Sequence, residues 1–133
     1  PLRIEVGPRD IENNNVMFAK RNTGENILCS MDTMLEKADE LMKTIHNEMY
    51  QKAYKRLLSQ TKVAHNLDEM KEILDNAGIA KVMWCGDEAC EVKIKELYQA
   101  TARCLPFNQI AFDTVCPVCG KKASKVVLFA KAY

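Results

Sequence analysis

Six cysteines are the residues of this 133-residue sequence whose type and spacing could do chemistry. Four of them form two close pairs, Cys85 with Cys90 (C-x4-C) and Cys116 with Cys119 (C-x2-C). Such pairs suit zinc, because two thiolates from one tight turn lose little backbone freedom on binding and a second turn completes a tetrahedron. The spacing therefore predicts a zinc site with these four cysteines as its ligands.

Disulfide formation, redox chemistry and simple burial are the alternatives for these thiols. The first residues, PLRIEVGPRD, lack the basic and apolar regions of a secretory signal, so we expect the reducing cytoplasm, where clustered cysteines favour metal binding. A thioredoxin-type C-x-x-C opens a helix, whereas CPVCGKKAS is typical of a loop. Burial alone would not require close pairs. The unpaired thiols, Cys29 and Cys104, have apolar neighbours, and we interpret them as core residues.

The other motifs do not indicate catalysis. The five glycines are too scattered to form a phosphate-binding loop, and no nucleophile elbow is present. Four thiolates around zinc leave no open coordination position for water, which disfavours metal-dependent hydrolysis. His46 and His65 have no partner in sequence that would complete a triad or a ligand set, so we expect them to have packing or surface roles.

Composition indicates a globular chain without a strong electrostatic field. Apolar residues make up 47% of the sequence, and 19 basic residues are balanced by 18 acidic ones, which leaves a formal net charge of +1. Any RNA contact must therefore be local. No apolar run approaches the roughly 18 residues that cross a bilayer, so we expect no membrane partner. Because the sequence starts directly in a predicted strand, without methionine, we expect it to be part of a longer protein.

Periodicity predicts a first part that ends in a long helix. Residues 2–6 and 16–20 predict two strands of an α/β or hairpin unit, with a turn at 7–8. From Ser30, which suits an N-cap, apolar residues follow helical spacing as far as Leu57 without glycine or proline. At about 1.5 Å per residue this helix would extend roughly 40 Å, so we interpret it as a link between two domains.

The second part is predicted to be a small α/β layer around the cysteines. Asn66 caps a helix that Gly78 ends as its C′ residue. A buried strand follows at 79–84, and a return strand at 101–105 is expected to run parallel to it by the crossover rule. A last, nearly continuous apolar strand is predicted at 126–130.

Cys85 and Cys90 are predicted at the junction of a strand with a helix. Gly86 permits a sharp turn, Asp87 can cap the helix, and Cys90 falls in its first turn. The free N–H groups and the dipole at a helix start favour negatively charged thiolates. Four residues are predicted on the inward face of this helix: Cys90, Ile94, Leu97 and Tyr98.

Together these segments resemble one family. The runs RIEVGPRDIENN, AKRNTGE, WCGDEACEVKIKELYQATARCLPF and CPVCGKKASKVVLFAKAY are similar to the C-terminal part of prolyl-tRNA synthetases of the archaeal and eukaryotic type. The resemblance spans nearly the whole chain and is most specific in the cysteine pairs, ATARCLPF and FAKAY. Members of this family are class II aminoacyl-tRNA synthetases, which ligate proline to tRNA using ATP and Mg²⁺. They contain a catalytic domain, an anticodon-binding domain and a zinc-binding C-terminal domain.

The resemblance implies an α/β (α+β) fold in two parts. Residues 1–62 would comprise the end of the anticodon-binding domain and the linking helix, and residues 63–133 would form the zinc-binding C-terminal domain. The catalytic domain has no counterpart here, so the chain alone should bind neither ATP nor Mg²⁺ and should not aminoacylate tRNA. Implied partners are tRNA(Pro), the catalytic domain of the same protein and, for the full-length enzyme, a second copy in a homodimer.

Site residues are implied in both parts by the same resemblance. A structural zinc would be held by Cys85, Cys90, Cys116 and Cys119. The segment matching LRIEVGPRD would read anticodon guanines, with Arg3, Arg9 and Asp10 as candidates. Arginine can donate to guanine O6 and N7, and a carboxylate can accept from guanine N–H groups. The terminal carboxylate of Tyr133 would approach the active site of the catalytic domain.

Two other function classes stay open. One is a stand-alone, zinc-stapled RNA-binding module, for which the lysines after Cys119 would form a local basic patch: Lys121, Lys122, Lys125 and Lys131. The other is a non-catalytic interaction domain that binds its partners through the long helix.

Overall fold

The computed structural model describes residues 1–132, which combine helices with two β-sheets and so confirm the predicted mixed fold. Two compact units are present, unit 1 (Pro1–Lys55) and unit 2 (Arg56–Tyr133). The domain limits predicted at residues 62 and 63 stay a prediction. No helix among residues 1–132 has the length and apolarity that crossing a bilayer requires.

Unit 1 contains a three-stranded antiparallel sheet in the order β1-β2-β3. The strands are β1 (Leu2–Glu5), β2 (Asn15–Lys20) and β3 (Asn26–Ser30), of which the sequence predicted the first two. The turn predicted at 7–8 is instead the start of a short helix, α1 (Pro8–Glu12). Proline at the first helical position has no N–H to leave unpaired, so a helix can begin directly behind Gly7.

The core of unit 1 lies between its sheet and the start of the long helix α2 (Met34–Gln60). Val16 and Phe18 on β2 are fully buried and pack with Leu41. The next inward position is Lys20, whose ammonium group pairs with Glu25 at 3.2 Å and Glu48 at 2.9 Å. The hydrogen bond with Glu48 raises the pKa of Lys20, so this buried charge is compensated.

Unit 2 contains a four-stranded sheet in the order β4-β5-β7-β6. Its strands are β4 (Thr61–Val63), β5 (Ile79–Trp84), β6 (Ala100–Cys104) and β7 (Lys125–Lys131), and its helices are α3 (Leu67–Asp75) and α4 (Glu88–Tyr98). β5 and β6 both pair antiparallel with β7, so they run in the same direction, as predicted. They are not neighbours, however, because β7 is inserted between them.

The sheet of unit 2 separates two cores. The helix-face core lies under α3 and α4 and includes Val82, Val127 and Phe129. Met83 and Val126 point to the opposite side, because side chains alternate along a strand. There they pack with thiols and with residues of the 105–124 segment, and this second cluster is called the loop-face core. It comprises Met83, Cys90, Cys116, Ala123 and Val126.

Three further local predictions are wrong. Leu97 is 51% exposed, although Ile94 is buried and the Tyr98 hydroxyl donates to the Leu67 carbonyl at 3.1 Å on the inner side of α4. Cys104 is exposed rather than a core thiol, because β6 is an edge strand and ends there. Cys29, by contrast, is half-buried and packs against the core of unit 1.

The third wrong prediction concerns the end of α3. The left-handed C′ position is taken by Ala77 (φ 54), not by Gly78. The N–H groups of Ala77 and Gly78 donate to Leu74 and Ile73 at 3.2 and 2.9 Å, the bonding pattern of a Schellman motif. Gly78 is needed for a different reason, since a Cβ there would lie 2.8 Å from both Ile73 Cγ2 and the Ile73 carbonyl.

Candidate metal centre

The four predicted cysteines are brought together in unit 2. Their sulfur atoms all lie within 4.8 Å of one another, with Cys85 3.6 Å from Cys90 and 3.7 Å from Cys119. Four thiolates arranged tetrahedrally around zinc at about 2.3 Å would have their sulfurs about 3.8 Å apart. The cluster therefore has the size and donor set of a tetrahedral metal site, and it could hold a metal ion.

Cys85 is positioned by the end of β5 and by the turn that follows. Gly86 adopts φ +90, a conformation that side chains rarely tolerate, and so lets the chain reverse directly behind the thiol. Asp87 then accepts the Ala89 N–H at 3.0 Å and caps α4, which places Cys90 in the first helical turn. The predicted junction of strand, glycine turn and capped helix is confirmed.

Cys119 is positioned by a second glycine turn. Gly120 adopts φ +70, and its N–H donates to the Cys116 carbonyl at 2.8 Å. The Cys116 N–H donates to the Lys121 carbonyl, also at 2.8 Å, so the two thiols of this pair are held by one hydrogen-bonded loop. Each pair thus contains one cysteine that is followed directly by a glycine of positive φ, Cys85 in the first pair and Cys119 in the second.

The backbone and the burial of the site shift its thiol pKa values in opposite directions. Burial raises the pKa values of Cys85 and Cys90. The backbone N–H of Lys121 lowers the pKa of exposed Cys119 to about 7. A site that buries thiols and must ionise them favours a bound cation, whose charge offsets the cost of the thiolates.

The donor set also limits the chemistry of the centre. Cys90 and Cys116 are buried, and all four tetrahedral positions would be occupied by protein sulfur. A water molecule or a substrate would have no coordination position, so the geometry fits a structural cross-link better than hydrolytic catalysis.

The three candidates for RNA contact all lie in unit 1. Arg3 on β1 pairs with Glu5, and the Asp10 carboxylate accepts the Gly7 N–H at 2.7 Å at the start of α1. Arg9 on α1 makes no ion pair within residues 1–132. Tyr133, the fourth predicted site residue outside the metal centre, lies beyond the described residues.

The predicted basic patch is partly neutralised by other side chains. Lys131 contacts Asp75 at 2.6 Å, and the Lys121 ammonium lies 3.8 Å from Asp87. Lys125 stacks over the ring of Trp84, with 5.7 Å between its Nζ and the ring centroid. These contacts leave less free positive charge than the lysine count suggests.

Two supports of the centre were not found from the sequence. Gln109 binds both backbone groups of Val126, accepting its N–H at 2.7 Å and donating to its carbonyl at 3.1 Å. His65 Nδ1 lies 3.3 Å from the Asp113 carboxylate, and Phe112 meets the imidazole edge-on. Both fix the 105–124 segment to the rest of unit 2. In the sequence, the signal that could have pointed to Gln109 is the lack of charged residues around it.

Comparison with known proteins identifies the chain. The family model for the C-terminal part of prolyl-tRNA synthetase matches residues 67–133. A proline–tRNA ligase of Clostridium novyi (strain NT) is 47% identical over 134 aligned residues, which cover 100% of this chain and 28% of that relative. Proline–tRNA ligase of Clostridium botulinum (strain Loch Maree / Type A3) and proline–tRNA ligase 2 of Clostridioides difficile (strain 630) are each 43% identical, with the same coverage. This chain spans about 28% of the length of these curated relatives, and it belongs to the prolyl-tRNA synthetase family, of which it matches the C-terminal region.

Proposed function

We propose that this chain is the C-terminal region of an enzyme that ligates proline to tRNA(Pro) using ATP. The observation that supports this most directly is the alignment of the whole chain with one end region of proline–tRNA ligases. ATP and Mg²⁺ would bind in the catalytic region, which has no counterpart in these 133 residues. Aminoacylation therefore belongs to the longer polypeptide, which would act in the cytoplasm as a homodimer.

In this proposal unit 2 is a structural zinc domain that supports the catalytic domain. Four thiolates at tetrahedral spacing suit zinc best among the metals that have no redox chemistry. Its role would be to hold the 105–124 segment against the sheet, because two ligands lie in that segment and two follow β5. The zinc would not take part in the ligation.

Metal analysis tests the zinc assignment. Protein purified without added zinc should contain about one zinc per chain. The Cys116→Ser variant should contain none, and Cys104→Ser, which removes an exposed thiol outside the centre, should keep the full amount. Less than half a zinc per chain in the wild type, with unchanged folding in chelator, would contradict a structural site.

Unit 1 would contribute recognition of the tRNA anticodon through Arg3, Arg9 and Asp10. Arg9 is the strongest of these candidates, because its guanidinium is not engaged by a carboxylate of residues 1–132. Asp10 already accepts the Gly7 N–H and Arg3 already pairs with Glu5, so either would have to exchange a partner to contact a base.

Kinetics of the longer enzyme test this assignment. Arg9→Ala should raise the KM for tRNA(Pro) about tenfold with little change in proline activation, since one good arginine–guanine contact is worth about 1–3 kcal/mol. Arg56→Ala, an exposed arginine on α2, is the matched control and should change neither value. Equal KM values for tRNA(Pro) and an anticodon-altered tRNA would exclude anticodon reading.

The terminal carboxylate of Tyr133 would approach the catalytic site in the same enzyme. Its test is an extension of the chain by one residue, which moves the carboxylate without removing the tyrosine. Proline activation should fall in the extended enzyme, and unchanged kinetics would remove Tyr133 from the proposal.

A further inference from the structure

A patch of exposed apolar side chains follows β6 in unit 2. It consists of Leu105, Phe107 and Ile110, which are 51%, 110% and 67% exposed, and it is called the loop patch. Phe107 is as exposed as in an extended peptide, although large aromatic side chains are usually at least partly covered. The segment around it, LPFNQIAF, has eight residues without a charge in a chain that is 28% charged.

The loop patch is held in place rather than left free. The amide group of Gln109 donates to the Pro106 carbonyl at 2.7 Å and also binds both backbone groups of Val126. In the sheet, β6 pairs with β7 only as far as Leu128, so the Gln109 side chain takes the place of a strand partner at Val126. Two hydrogen bonds to Val126 thus fix the loop to β7, and the third closes a turn within the loop. The apolar side chains stay exposed, at a cost that burial against a partner would offset.

A covalently attached partner fits this surface best. This chain covers 28% of the length of the curated relatives, so the other 72% of their length lies outside the matched region. A domain on the same polypeptide is present at high effective concentration, so three side chains are enough to dock it. RNA sites usually combine such an aromatic side chain with Lys or Arg that contact phosphates, and residues 105–112 contain no charged side chain.

We propose that the loop patch is the surface on which the catalytic region of the synthetase docks. This rests on the proposed function, because it takes the partner to be the remainder of the same enzyme. Phe107 is the central contact, and Leu105 and Ile110 flank it. Gln109 is a positioning residue that presents the three side chains.

Hydroxyl-radical footprinting with mass spectrometry measures whether Phe107 is covered. The 133-residue chain and a synthetase polypeptide ending in these residues are oxidised in parallel, with free phenylalanine as the dosimeter. The oxidation rate of Phe107 should be at least about fivefold lower in the synthetase, without tRNA. Equal rates would overturn the proposal. Protection of the short chain at rising concentration would assign the patch to a second copy, and protection only after tRNA addition would assign it to RNA; both would overturn it.

A matched pair of variants provides a second readout. Phe107→Ser should lower the Tm of the synthetase but not that of the 133-residue chain, where the side chain touches solvent alone. Leu97→Ser removes another half-exposed apolar side chain and should change neither Tm. A shift of the same size in both polypeptides with Phe107→Ser would mean a role inside unit 2 and would overturn docking.

Aminoacylation of tRNA(Pro) by the same synthetase preparation separates the two proposals. A protected Phe107 in a preparation without ligase activity would contradict the proposed function and leave the docking surface intact. An active enzyme with an unprotected Phe107 would overturn the docking surface alone.

Discussion

The two faces of the unit 2 sheet are stabilised by different means. The helix-face core contains ten buried side chains, all of them apolar, and its cover is the amphipathic helices α3 and α4. The loop-face core has five, two of which are the thiols of Cys90 and Cys116. Its cover is residues 105–124, whose backbone forms turns and an isolated bridge between Val115 and Lys122. A small domain with too little apolar area for two complete cores can fasten the poorer side with a metal.

Removal of the proposed metal should produce the largest difference between the two faces of the sheet. Cys116→Ser removes a buried candidate ligand of the proposed zinc, and structural zinc contributes on the order of 10 kcal/mol of apparent binding free energy. We expect amides of the loop face, such as Ala123, to lose their protection in hydrogen exchange, while amides at the centre of β7, such as Phe129, keep most of it. Cys104→Ser is the matched control with an unchanged exchange pattern. Equal loss of protection on both faces would show that the sheet cannot fold without the metal.

The same centre should make the loop face sensitive to pH. Burial raises the pKa values of Cys85 and Cys90, so protons compete with the metal for these sulfurs. Metal affinity should therefore fall as pH falls, by about a hundredfold per unit where two thiols must lose protons. Competition with a chromogenic chelator at about pH 8 and about pH 6 measures this. An affinity independent of pH would contradict thiolate ligands.

Sequence reasoning predicted the grouping of the four cysteines because the features behind it are local. The C-x4-C and C-x2-C spacings, Gly86 behind Cys85 and the Asp87 cap each depend on residues within a few positions of one another. The strand at 79–84 was also confirmed, since a buried apolar run bounded by turn residues is visible without its partners.

Features that depend on distant partners were missed. Insertion of β7 between β5 and β6 depends on pairing between residues far apart in sequence, such as Ala80 with Phe129, and no local pattern records it. For the same reason Cys104 was expected in a core, although it lies at the end of an edge strand. The helix α1 was missed because five residues are too few to show a period.

The helix-face core should respond to loss of apolar volume, independently of the metal. Phe129→Ala empties a fully buried site at the centre of β7 and should cost about 3–5 kcal/mol of unfolding free energy. Phe107→Ala in the same 133-residue chain deletes the same atoms from a fully exposed position and should cost close to zero. Urea unfolding of the metal-loaded proteins compares them. Similar losses for both variants would contradict the assignment of Phe129 to the core.

The link between α3 and β5 allows a smaller test of the helix face. Gly78→Ala would place a Cβ 2.8 Å from Ile73 Cγ2 and should destabilise the protein by about 1–3 kcal/mol. Ala77→Gly should have the opposite sign and stabilise it by about 1 kcal/mol, because Ala77 has the positive φ. The midpoints of urea unfolding measure both changes, provided that the dependence of the unfolding free energy on urea concentration is the same in all variants. If both substitutions stabilised the protein, or both destabilised it, the end of α3 would not be the Schellman arrangement.

The smallest expected effect is an electrostatic one at the margin of the helix face. Asp75 at the end of α3 receives hydrogen bonds from Lys131 on β7 and from Lys71, and these lower its pKa to about 2. A carboxyl group whose pKa is depressed in the folded state stabilises that state above its ordinary pKa near about 4, and this contribution disappears as pH falls toward about 2. The stability difference between the wild type and Asp75→Asn should therefore be constant from about pH 7 to about pH 5 and vanish between about 4 and about 2.

Urea unfolding across this pH range measures the difference, and the comparison isolates the helix face because metal release in acid affects both proteins equally. Since the groups are exposed, about 0.5 M salt should reduce the difference. A difference that persists at about pH 2 would mean that the amide introduced by Asp75→Asn disturbs packing, and that the ion pair does not fasten α3 to β7.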